Sequence, residues 1–350
     1  MLLEYSMKRI SKEDLQHISD HTKDIWDDVR NKSIFITGAT GFFGKWLLES
    51  FVYINKKFSL NAKVCALSRN PEAFLMQYPF YKNEASISFI KGDIQNFTFP
   101  VRTFQYIVHA ATDADAKLNN ENLLSMLDTI TNGTRRILEF AATQPLESFL
   151  LTSSGAVYGN QPADVVYVKE DESFFIDINN PDSSYAEGKR IAEVYCSLYH
   201  KQYNLPVKIA RCFAFVGPHL PLDKHFAIGN FILNGLNNED IIIKGDGSPF
   251  RSYLYAADLT IWLWTILIKG NKNIAYNVGS DVAVSIKETA ELVVECFNKH
   301  IITKVLGKPQ LLPARRYVPD IKKANTELNL KVNIGMAESI VRTINFHNQH

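Results

Sequence analysis

The sequence predicts an α/β protein whose main part is a doubly wound parallel sheet, followed by a smaller C-terminal lobe. Short apolar segments alternate with longer helical segments through the first two thirds of the chain. The apolar residues run continuously within these segments, which is typical of strands that helices cover on both faces. After Gly217-Pro218 the alternation stops, and prolines divide the remaining chain into shorter elements.

Hydrophobic periodicity places the individual elements in chain order. Strands are predicted over 34–37, 62–67, 86–91, 106–110, 149–153 and 207–211. Helices are predicted over 42–55, 118–142 with an interruption near Gly133, 183–203, 256–269 and 286–300. A further helix over 11–29 is expected to be a surface cap, with a contact between subunits as the alternative.

Three regions follow from this organisation. Residues 1–30 form an N-terminal helical extension, residues 31–217 form the sheet domain, and residues 218–350 form mostly the smaller lobe, with some segments returning to the sheet domain. A chain of 350 residues with 46% hydrophobic residues is large enough for one large domain or two closely joined domains.

Composition excludes several classes of protein. The formal charge of +1 gives no sign of a nucleic-acid surface, and no segment approaches the roughly 18 apolar residues of a membrane span. Residues 1–30 are charged and lack the apolar core of a secretory signal, so we expect a cytoplasmic protein. The four cysteines lack metal-ligand spacing, which predicts reduced thiols and no metal site.

A glycine-rich turn is the first motif that carries chemistry. The segment 38–44, Gly-Ala-Thr-Gly-Phe-Phe-Gly, follows a predicted strand and opens a predicted helix. Such a turn lets the backbone approach a dinucleotide pyrophosphate, which the unpaired N–H groups of the helix N-terminus then bind. The pattern alone is weak evidence, but it predicts a Rossmann-type dinucleotide site.

Tyr185 and Lys189 share one face of a predicted helix, and Ser154 ends a predicted strand at the edge where parallel sheets bind ligands. A nearby ammonium lowers the pKa of a phenol, which could then exchange a proton with a hydroxyl whose carbon is oxidised or reduced. Taken separately, the pair is a common chance spacing and Ser154 is an ordinary strand-end hydroxyl. Together with the glycine turn they predict hydride transfer.

These motifs lie in a longer series, and the chain resembles the extended short-chain dehydrogenase/reductases that modify nucleotide sugars, the epimerase/dehydratase group. The matching segments are TGATGFFG (37–44), KGDI (91–94), HAAT (109–112), SSGAVYG (153–159), YAEGK (185–189), VGP (216–218) and GDGSPFRSYLYAADL (245–259). The resemblance implies a Rossmann domain and a C-terminal substrate lobe. It also implies that Tyr185 is the acid/base, that Lys189 binds the nicotinamide ribose and that Ser154 is the third catalytic hydroxyl.

The resemblance implies further binding residues. The cofactor would contact the turn residues Gly38, Thr40, Gly41, Phe42, Phe43 and Gly44, the adenine-site residues Asp93 and Ile94, and Ala110 and Ala111. Arg251 would pair with the substrate diphosphate, since a guanidinium suits phosphate oxygens. Arg316 is a candidate second phosphate contact and Asn230 a candidate substrate contact, with a solvated arginine and a structural amide as the alternatives. His109 is expected to be a core histidine.

Two departures from the family pattern bear on the reaction. Members that remove water carry an Asp-Glu pair directly after the catalytic hydroxyl, where this chain has Gly155 and Ala156. Neither residue transfers a proton, so dehydration is disfavoured; related decarboxylases keep a glutamate at the second position, so decarboxylation is disfavoured too. Ala214 stands where many relatives place asparagine, which indicates a different substrate pose.

Ser68 and Arg69 follow the second predicted strand, where an acidic residue would bind the ribose of NAD. An arginine there favours NADP, with NAD as the alternative. Net reduction then follows, and residues 211–264 resemble the subgroup that reduces 4-keto-6-deoxyhexoses. We therefore predict reduction of a nucleotide-diphosphate 4-keto-6-deoxyhexose, in deoxysugar and lipopolysaccharide (surface polysaccharide) biosynthesis. The alternatives are a 4-epimerase with tightly bound NAD and a non-catalytic NADP-binding interaction protein. The resemblance also implies a homodimer through segments 118–142 and 183–203.

Overall fold

The computed structural model describes residues 8–112, 122–224, 226–297, 300–309 and 313–348. The helices are α1 (Lys12–His21), α2 (Phe42–Lys57), α3 (Pro71–Gln77), α4 (Leu123–Ala142), α5 (Ser184–Tyr203), α6 (Ala227–Leu236), α7 (Ala256–Lys269), α8 (Ile286–Glu295), α9 (Lys322–Leu328) and α10 (Met336–Asn348). The strands are β1 (Ser33–Thr37), β2 (Lys63–Ser68), β3 (Ile87–Lys91), β4 (Tyr106–His109), β5 (Ser148–Ser154), β6 (Val207–Cys212), β7 (Phe215–Val216), β8 (Ile241–Ile243), β9 (Phe250–Arg251), β10 (Leu254–Tyr255), β11 (Ile274–Val278), β12 (Val284–Ser285), β13 (Thr303–Val305) and β14 (Arg316–Tyr317).

Seven parallel strands form the central sheet in the order β3-β2-β1-β4-β5-β6-β11. The order reverses direction beside β1, which is the doubly wound arrangement predicted from the sequence. Along β1, Ile34 and Ile36 enter the core on one face and Phe35 enters the core on the other. Both faces of the sheet are therefore buried, which explains why the strands read as continuous apolar segments.

The helices divide between the two faces of the sheet. One core contains tryptophans from α2 and α7, together with Ile18 of α1. The other core joins the sheet to α4 and α5, with Phe140 and Ala192 fully buried. Because Gly188 of α5 has no side chain, Leu127 of α4 can approach: a Cβ there would lie 3.1 Å from Leu127 Cδ1.

The C-terminal part of the chain divides its elements between the sheet and a smaller lobe. β11 extends the central sheet beside β6, and α7 covers one face of it. The smaller lobe has a core of its own from α6, α8 and α10, and it contains the short sheets β12-β9-β14 and β8-β13. The two short strands β7 and β10 pair with each other where the chain leaves the central sheet.

Most predicted elements agree with the structure, and three of them differ from it. The N-terminal helix ends at His21 and continues as a 3-10 helix over Lys23–Val29, with Trp26 packed edge-on against Trp264. α4 runs without interruption through Gly133, whose missing side chain makes room for Ile94: a Cβ would lie 3.0 Å from Ile94 Cγ2.

The third difference is at α8, which ends at Glu295 and not at residue 300 as predicted. The start of the predicted helix 118–142 lies outside the described residues as far as residue 121. Among the helices that the structure describes, none has the length and apolar character needed to cross a membrane.

Candidate active site

The glycine turn after β1 is shaped for a close backbone approach. Gly38 has φ +71°, and a Cβ there would lie 2.4 Å from the carbonyl oxygen of Ala110. At Gly44 a Cβ would lie 2.3 Å from Ala39 Cα, so α2 packs directly on the turn. Gly41 caps α2 without a side-chain hydrogen bond. The first N–H groups of α2 therefore face the turn, as an anionic pyrophosphate requires.

A cavity of about 500 Å³ extends from this turn along the carboxyl edge of the sheet. It is lined by all but one of the predicted cofactor residues: Gly38, Thr40, Gly41, Phe42, Phe43, Ser68, Arg69, Asp93, Ile94, Ala110, Ala111, Tyr185 and Lys189. Gly44 lies beneath the turn, where it packs on Ala39. The volume of the cavity suits a dinucleotide. The glycines at 38 and 44 let the backbone of the turn pack closely, because a side chain at either position would collide with neighbouring backbone.

Ser68, Arg69 and Asp93 line the cavity after β2 and β3, which lie on the opposite side of β1 from β5 and Ser154. Ser68 ends β2 and is buried, and its hydroxyl accepts from the Asn70 N–H at 3.3 Å. Arg69 is exposed at the mouth of the cavity. The Asp93 carboxylate accepts from the Gln95 N–H at 2.9 Å, which holds the turn that carries Ile94.

Ser154, Tyr185 and Lys189 converge in the same cavity, on the β5 side of β1. Ser154 is the last residue of β5, and its hydroxyl accepts from the Ala156 N–H at 3.1 Å. Tyr185 and Lys189 lie in the first turns of α5, with Lys189 Nζ 5.9 Å from the centre of the Tyr185 ring. The structure therefore brings together the three residues that the sequence predicted, on a strand end and on one helix face.

Lys189 is buried and held by two hydrogen bonds. Its Nζ donates to Thr112 Oγ1 at 2.8 Å and to the Thr152 carbonyl at 2.9 Å. Burial lowers the pKa of Lys189 to about 8. An ammonium has three donors, so these two bonds orient it and leave one N–H for a further acceptor.

His109 supports this arrangement from within the core, as predicted. Its ring nitrogens pair with Thr37 Oγ1 at 2.7 Å and Thr134 Oγ1 at 3.2 Å. Burial and the neighbouring Lys189 ammonium lower the pKa of His109 to about 3, so its imidazole is neutral. The histidine thus links β1, β4 and α4 beneath the cavity and does not line it.

The pKa of Tyr185 differs from the expectation. We expected the Lys189 ammonium to lower it, but burial raises the pKa of the Tyr185 phenol, and only the Ser154 hydroxyl acts in the lowering direction. Lys189 instead donates its hydrogen bonds to Thr112 and Thr152. Activation of the phenol is therefore not a property of the Tyr-Lys pair by itself.

An ion pair anchors α5 to the sheet. The Glu193 carboxylate of α5 accepts from Arg211 of β6, with the shortest bond, from Nη2, at 2.8 Å. It also accepts from Ser153 Oγ at 2.5 Å. Both charged side chains are largely buried, and this anchor lies one and two helical turns beyond Lys189 and Tyr185 on the same helix.

No carboxylate follows the catalytic hydroxyl. Gly155 and Ala156 form the 3-10 turn after Ser154, and the space beside Gly155 is filled by the Tyr317 hydroxyl and the Phe213 ring. Among the described residues that line the cavity, Asp93 is the only carboxylate, and it follows β3, on the opposite side of β1 from Ser154.

A second pocket, of about 510 Å³, lies beside the first and is basic. Arg251, Arg315 and Arg316 line it together with Tyr317 and residues 159–161. Arg251 and Arg316, the two arginines predicted to contact a diphosphate, therefore line the same pocket, and their role in binding remains a prediction. Three guanidinium groups in one pocket suit a diphosphate.

One candidate substrate residue, Asn230, lies outside both pockets, which leaves the alternative of a structural amide, and two residues near the site were missed. Asn230 of α6 lines neither of these two pockets; from its neighbourhood Lys224 and Phe226 face the cavity instead. The sequence analysis also missed Thr112, although it belongs to the HAAT segment, and it missed Tyr317. Tyr317 carries no signal in one sequence, because only tertiary contacts bring β14 to Ser154.

Fold and site together are those of a dinucleotide-binding enzyme, with a Ser-Tyr-Lys cluster in the cavity and a pocket lined by three arginines. The chain belongs to the NAD-dependent epimerase/dehydratase family, which it matches over residues 34–279. UDP-glucuronic acid decarboxylase 3 of Arabidopsis thaliana is 30% identical over 313 residues, which cover 89% of this chain and 87% of that protein.

Solved structures agree on the fold. Epimerase Mth375 from Methanothermobacter thermautotrophicus has a TM-score of 0.78 at 23% identity and covers 96% of both chains. UDP-glucuronic acid 4-epimerase from Bacillus cereus, solved with UDP-glucuronic acid and NAD, has a TM-score of 0.77 at 21% identity and covers 91% of this chain and 99% of that chain. These names give NAD as the cofactor of the family and do not support a preference for NADP. They also do not single out a reductase subgroup.

Proposed function

We propose that the protein reduces the C4 ketone of a nucleotide-diphosphate 4-keto-6-deoxyhexose, in the synthesis of an activated deoxysugar. The observation that carries the proposal is a complete Ser154, Tyr185 and Lys189 cluster with no carboxylate beside Ser154. Such a site can transfer a proton at one hydroxyl-bearing carbon, but it has no second acid/base pair for removing water.

The residues of the cluster have separate tasks. Tyr185 gives its phenolic proton to the sugar O4 as the C4 carbonyl becomes a hydroxyl. Ser154 donates a hydrogen bond to the same oxygen and so fixes its position. Lys189, which Thr112 and Thr152 orient, has one N–H left that would bind the ribose of the dinucleotide. The bound dinucleotide, in its reduced form, supplies the hydride that C4 receives.

The basic pocket supports a nucleotide sugar as the substrate. Arg251 and Arg316 are suited to hold the diphosphate, with Arg315 as a third cation in the same pocket. Decarboxylation, which the name of the Arabidopsis relative describes, is not proposed for this chain because Ala156 offers no proton-transferring group.

Ser68 and Arg69 support NADPH as the reductant. Both residues line the cavity where β2 ends. In this type of fold, the adenosine ribose of the dinucleotide binds at that position. A guanidinium at the mouth of the cavity favours a 2′-phosphate, and net reduction requires a cofactor that arrives reduced. Arg69→Ala should raise the KM for NADPH and leave the KM for NADH unchanged.

The test is a spectrophotometric assay of NADPH with dTDP- and CDP-4-keto-6-deoxyglucose. We expect the absorbance of the reduced cofactor to fall with the wild type. Tyr185→Phe should slow this by a factor of about 10²–10⁴, with dinucleotide binding retained. No consumption of NADPH or NADH with any sugar of such a panel would refute the proposal.

A nucleotide-sugar 4-epimerase is the second candidate, because the same three residues serve it and a solved neighbour is named as a 4-epimerase acting on a UDP-sugar. Protein that is purified with one equivalent of NAD, and that interconverts epimers without added cofactor, would favour this candidate over the reductase.

We further propose a homodimer through α4 and α5. Ile191, Val194 and Leu198 form an exposed apolar stripe along α5, and Leu124 is exposed at the start of α4. The spacing of Ile191, Val194 and Leu198 places their side chains on one face of α5. A second copy of the α4–α5 pair would cover this face.

A further inference from the structure

The N-terminal segment, residues 8–21, lies outside the part of the chain that matches the family, which begins at residue 34. It contains α1, whose first turn is capped by the Ser11 hydroxyl, which accepts from the Asp14 N–H at 3.0 Å. α1 packs on α2 and α7, with Leu15 and Ile18 buried. None of residues 8–21 lines the cavity, so any effect of this segment on the site is carried by the residues that it contacts.

A buried carboxylate joins the N-terminal segment to the chain after β7. The side chain of Glu49, on α2, is only 1% exposed, and its Oε2 accepts from the Ile10 N–H at 3.2 Å and from Arg9 Nε at 3.4 Å. Its Oε1 lies 3.6 Å from His219 Nε2, which has no hydrogen-bond partner within the described ranges. Removing the polar neighbour of a buried group costs free energy, so Glu49 ties the position of His219 to that of the N-terminal segment.

His219 belongs to the cavity loop, which we define as residues 217–224, after β7. Three residues of this loop line the cavity: Leu220, Pro221 and Lys224. His219 has φ +68°, a conformation that is uncommon for residues other than glycine. The carbonyl of Pro218 accepts from Trp46 Nε1 of α2 at 2.8 Å. α2 therefore holds the loop at two successive residues, directly before those that face the cavity.

Aromatic side chains enclose the His219 ring. The Phe346 ring of α10 lies 4.7 Å from it and the Tyr78 ring 5.9 Å, centroid to centroid. The end of α10 is itself joined to the N-terminal segment, because Lys8 Nζ donates to the His347 carbonyl at 2.7 Å. Burial lowers the pKa of His219, so its imidazole is neutral near pH 7. Segments from both ends of the chain thus meet at the root of the cavity loop.

A second buried contact holds the N-terminal segment beside the same loop. Asp14, with a side chain 2% exposed, accepts from the Tyr255 hydroxyl at 2.9 Å and from Arg342 Nη1 of α10. Tyr255 ends β10 and is opposite Val216 of β7, the residue directly before the cavity loop. The N-terminal segment is therefore attached both to the strand pair from which the loop leaves and, through Glu49, to the loop itself.

We propose that the N-terminal segment positions the cavity loop, with Glu49 and His219 as the positioning residues that carry its effect. When Glu49 holds both Ile10 and His219, the three loop residues that follow stay against the cavity. When that connection is lost, this wall of the cavity moves and the substrate binds more weakly. The inference rests on the proposed function only in taking a nucleotide sugar as that substrate.

Hydrogen exchange followed by mass spectrometry tests the connection without turnover. Ile10→Pro removes the N–H that Glu49 accepts, and Ile10→Val, the control, keeps it. We expect amides of the cavity loop to exchange about tenfold faster in Ile10→Pro, with exchange in the buried end of α4 unchanged as the internal reference. Glu49→Leu, a second variant in case Ile10→Pro does not fold, should give the same change. Wild-type exchange in the loop of a folded variant would overturn the inference.

The kinetic test separates positioning from a general loss of structure. His219→Leu removes the polar contact, whereas His219→Asn keeps an N–H donor and tolerates a positive φ. In His219→Leu the KM for the nucleotide sugar should rise about tenfold with kcat unchanged, because the loop carries none of the three catalytic residues. His219→Asn should restore most of the wild-type KM. An unchanged KM in His219→Leu, or equal rises in both variants, would overturn the role given to His219.

The two proposals fail separately. Faster loop exchange in Ile10→Pro, in a protein that reduces no keto sugar, would refute the proposed reaction and leave this inference standing. Unchanged loop exchange in an active reductase would refute this inference alone.

Discussion

Glu193 allows a quantitative test of how α5, the helix that carries Tyr185 and Lys189, is attached to the sheet. Its carboxylate accepts from Arg211 Nε at 3.1 and 3.2 Å and from Nη2 at 2.8 Å, and it also accepts from Ser153 Oγ at 2.5 Å. The side chains of Glu193 and Arg211 are only 12% and 16% exposed. Glu193→Ala therefore leaves a largely buried guanidinium without its carboxylate, while alanine itself suits the interior of α5.

Removing one partner of a buried, hydrogen-bonded ion pair costs about 3–5 kcal/mol of unfolding free energy. The unfolding entropy scales with chain length, so for 350 residues this cost corresponds to a fall in Tm of roughly 4–7 °C. Glu139→Ala is the matched control, because Glu139 pairs with Arg135 on the exposed face of α4 with 39% and 62% of the side chains exposed. Such a surface pair contributes about 0–1 kcal/mol.

The assay is thermal unfolding followed by circular dichroism, together with steady-state kinetics. Glu193→Ala should also lower kcat, because Tyr185 and Lys189 lie on the helix that loses its anchor. If Glu193→Ala and Glu139→Ala change Tm equally, the buried pair does not hold α5 and the reasoning is refuted.

Three further predictions concern the turn, the buried lysine and the dimer. Gly38→Ala should abolish dinucleotide binding in calorimetry, because its Cβ would collide with the carbonyl oxygen of Ala110, directly after β4. Gly335→Ala is the control and should bind the dinucleotide normally, since no described atom lies within 4 Å of the added Cβ. Equal affinities in the two variants would contradict the role given to the glycine turn. Since folding lowers the pKa of Lys189 from 10.5 to about 8, the folded state binds fewer protons in that window, and this residue makes stability rise with pH between these values. Denaturant titrations at several pH values should show that the free energy of unfolding rises less with pH in Lys189→Met than in the wild type. Lys208, also with a pKa of about 8, adds the same rise to both proteins. Identical slopes of unfolding free energy against pH would disprove the assignment to Lys189. Val194→Asp should give a folded monomer in sedimentation analysis, and an unchanged oligomeric state would exclude the α4–α5 interface.

Local patterns in the sequence were sufficient for the sheet and for half of the site. The glycine turn, the strand end at Ser154 and the helix face of Tyr185 and Lys189 are each defined by residues close in sequence. The rule that parallel strands bind ligands at their carboxyl edge then places them in one cavity. The structure confirms the doubly wound sheet, and it places thirteen of the fourteen predicted cofactor residues along that cavity.

The other half of the site depends on contacts between segments that are distant in sequence. Gly133 looked like a helix interruption, but it is a packing site for Ile94, which is far away in sequence. Asn230 was a candidate substrate residue because of its local motif, yet the cavity is lined by Lys224 and Phe226, which come just before α6, and by no residue of α6 itself. The pKa of Tyr185 also depends on the tertiary structure, because burial raises it and the hydrogen bond with Ser154 on β5 acts in the lowering direction.

The sequence by itself was sufficient for the fold class and for the absence of acid/base residues at 155 and 156, and it predicted the glycine turn and the Ser154, Tyr185 and Lys189 cluster, because each depends on short-range spacing or on residue identity. Only the tertiary structure decided what fills the space beside Gly155. A phenol on β14 occupies it, since the pairing of β14 with β9 carries Tyr317 across the site to Ser154. Side-chain packing between the two lobes has no periodic signature in the chain, and for that reason the residue beside Ser154 could not be found before the fold was known.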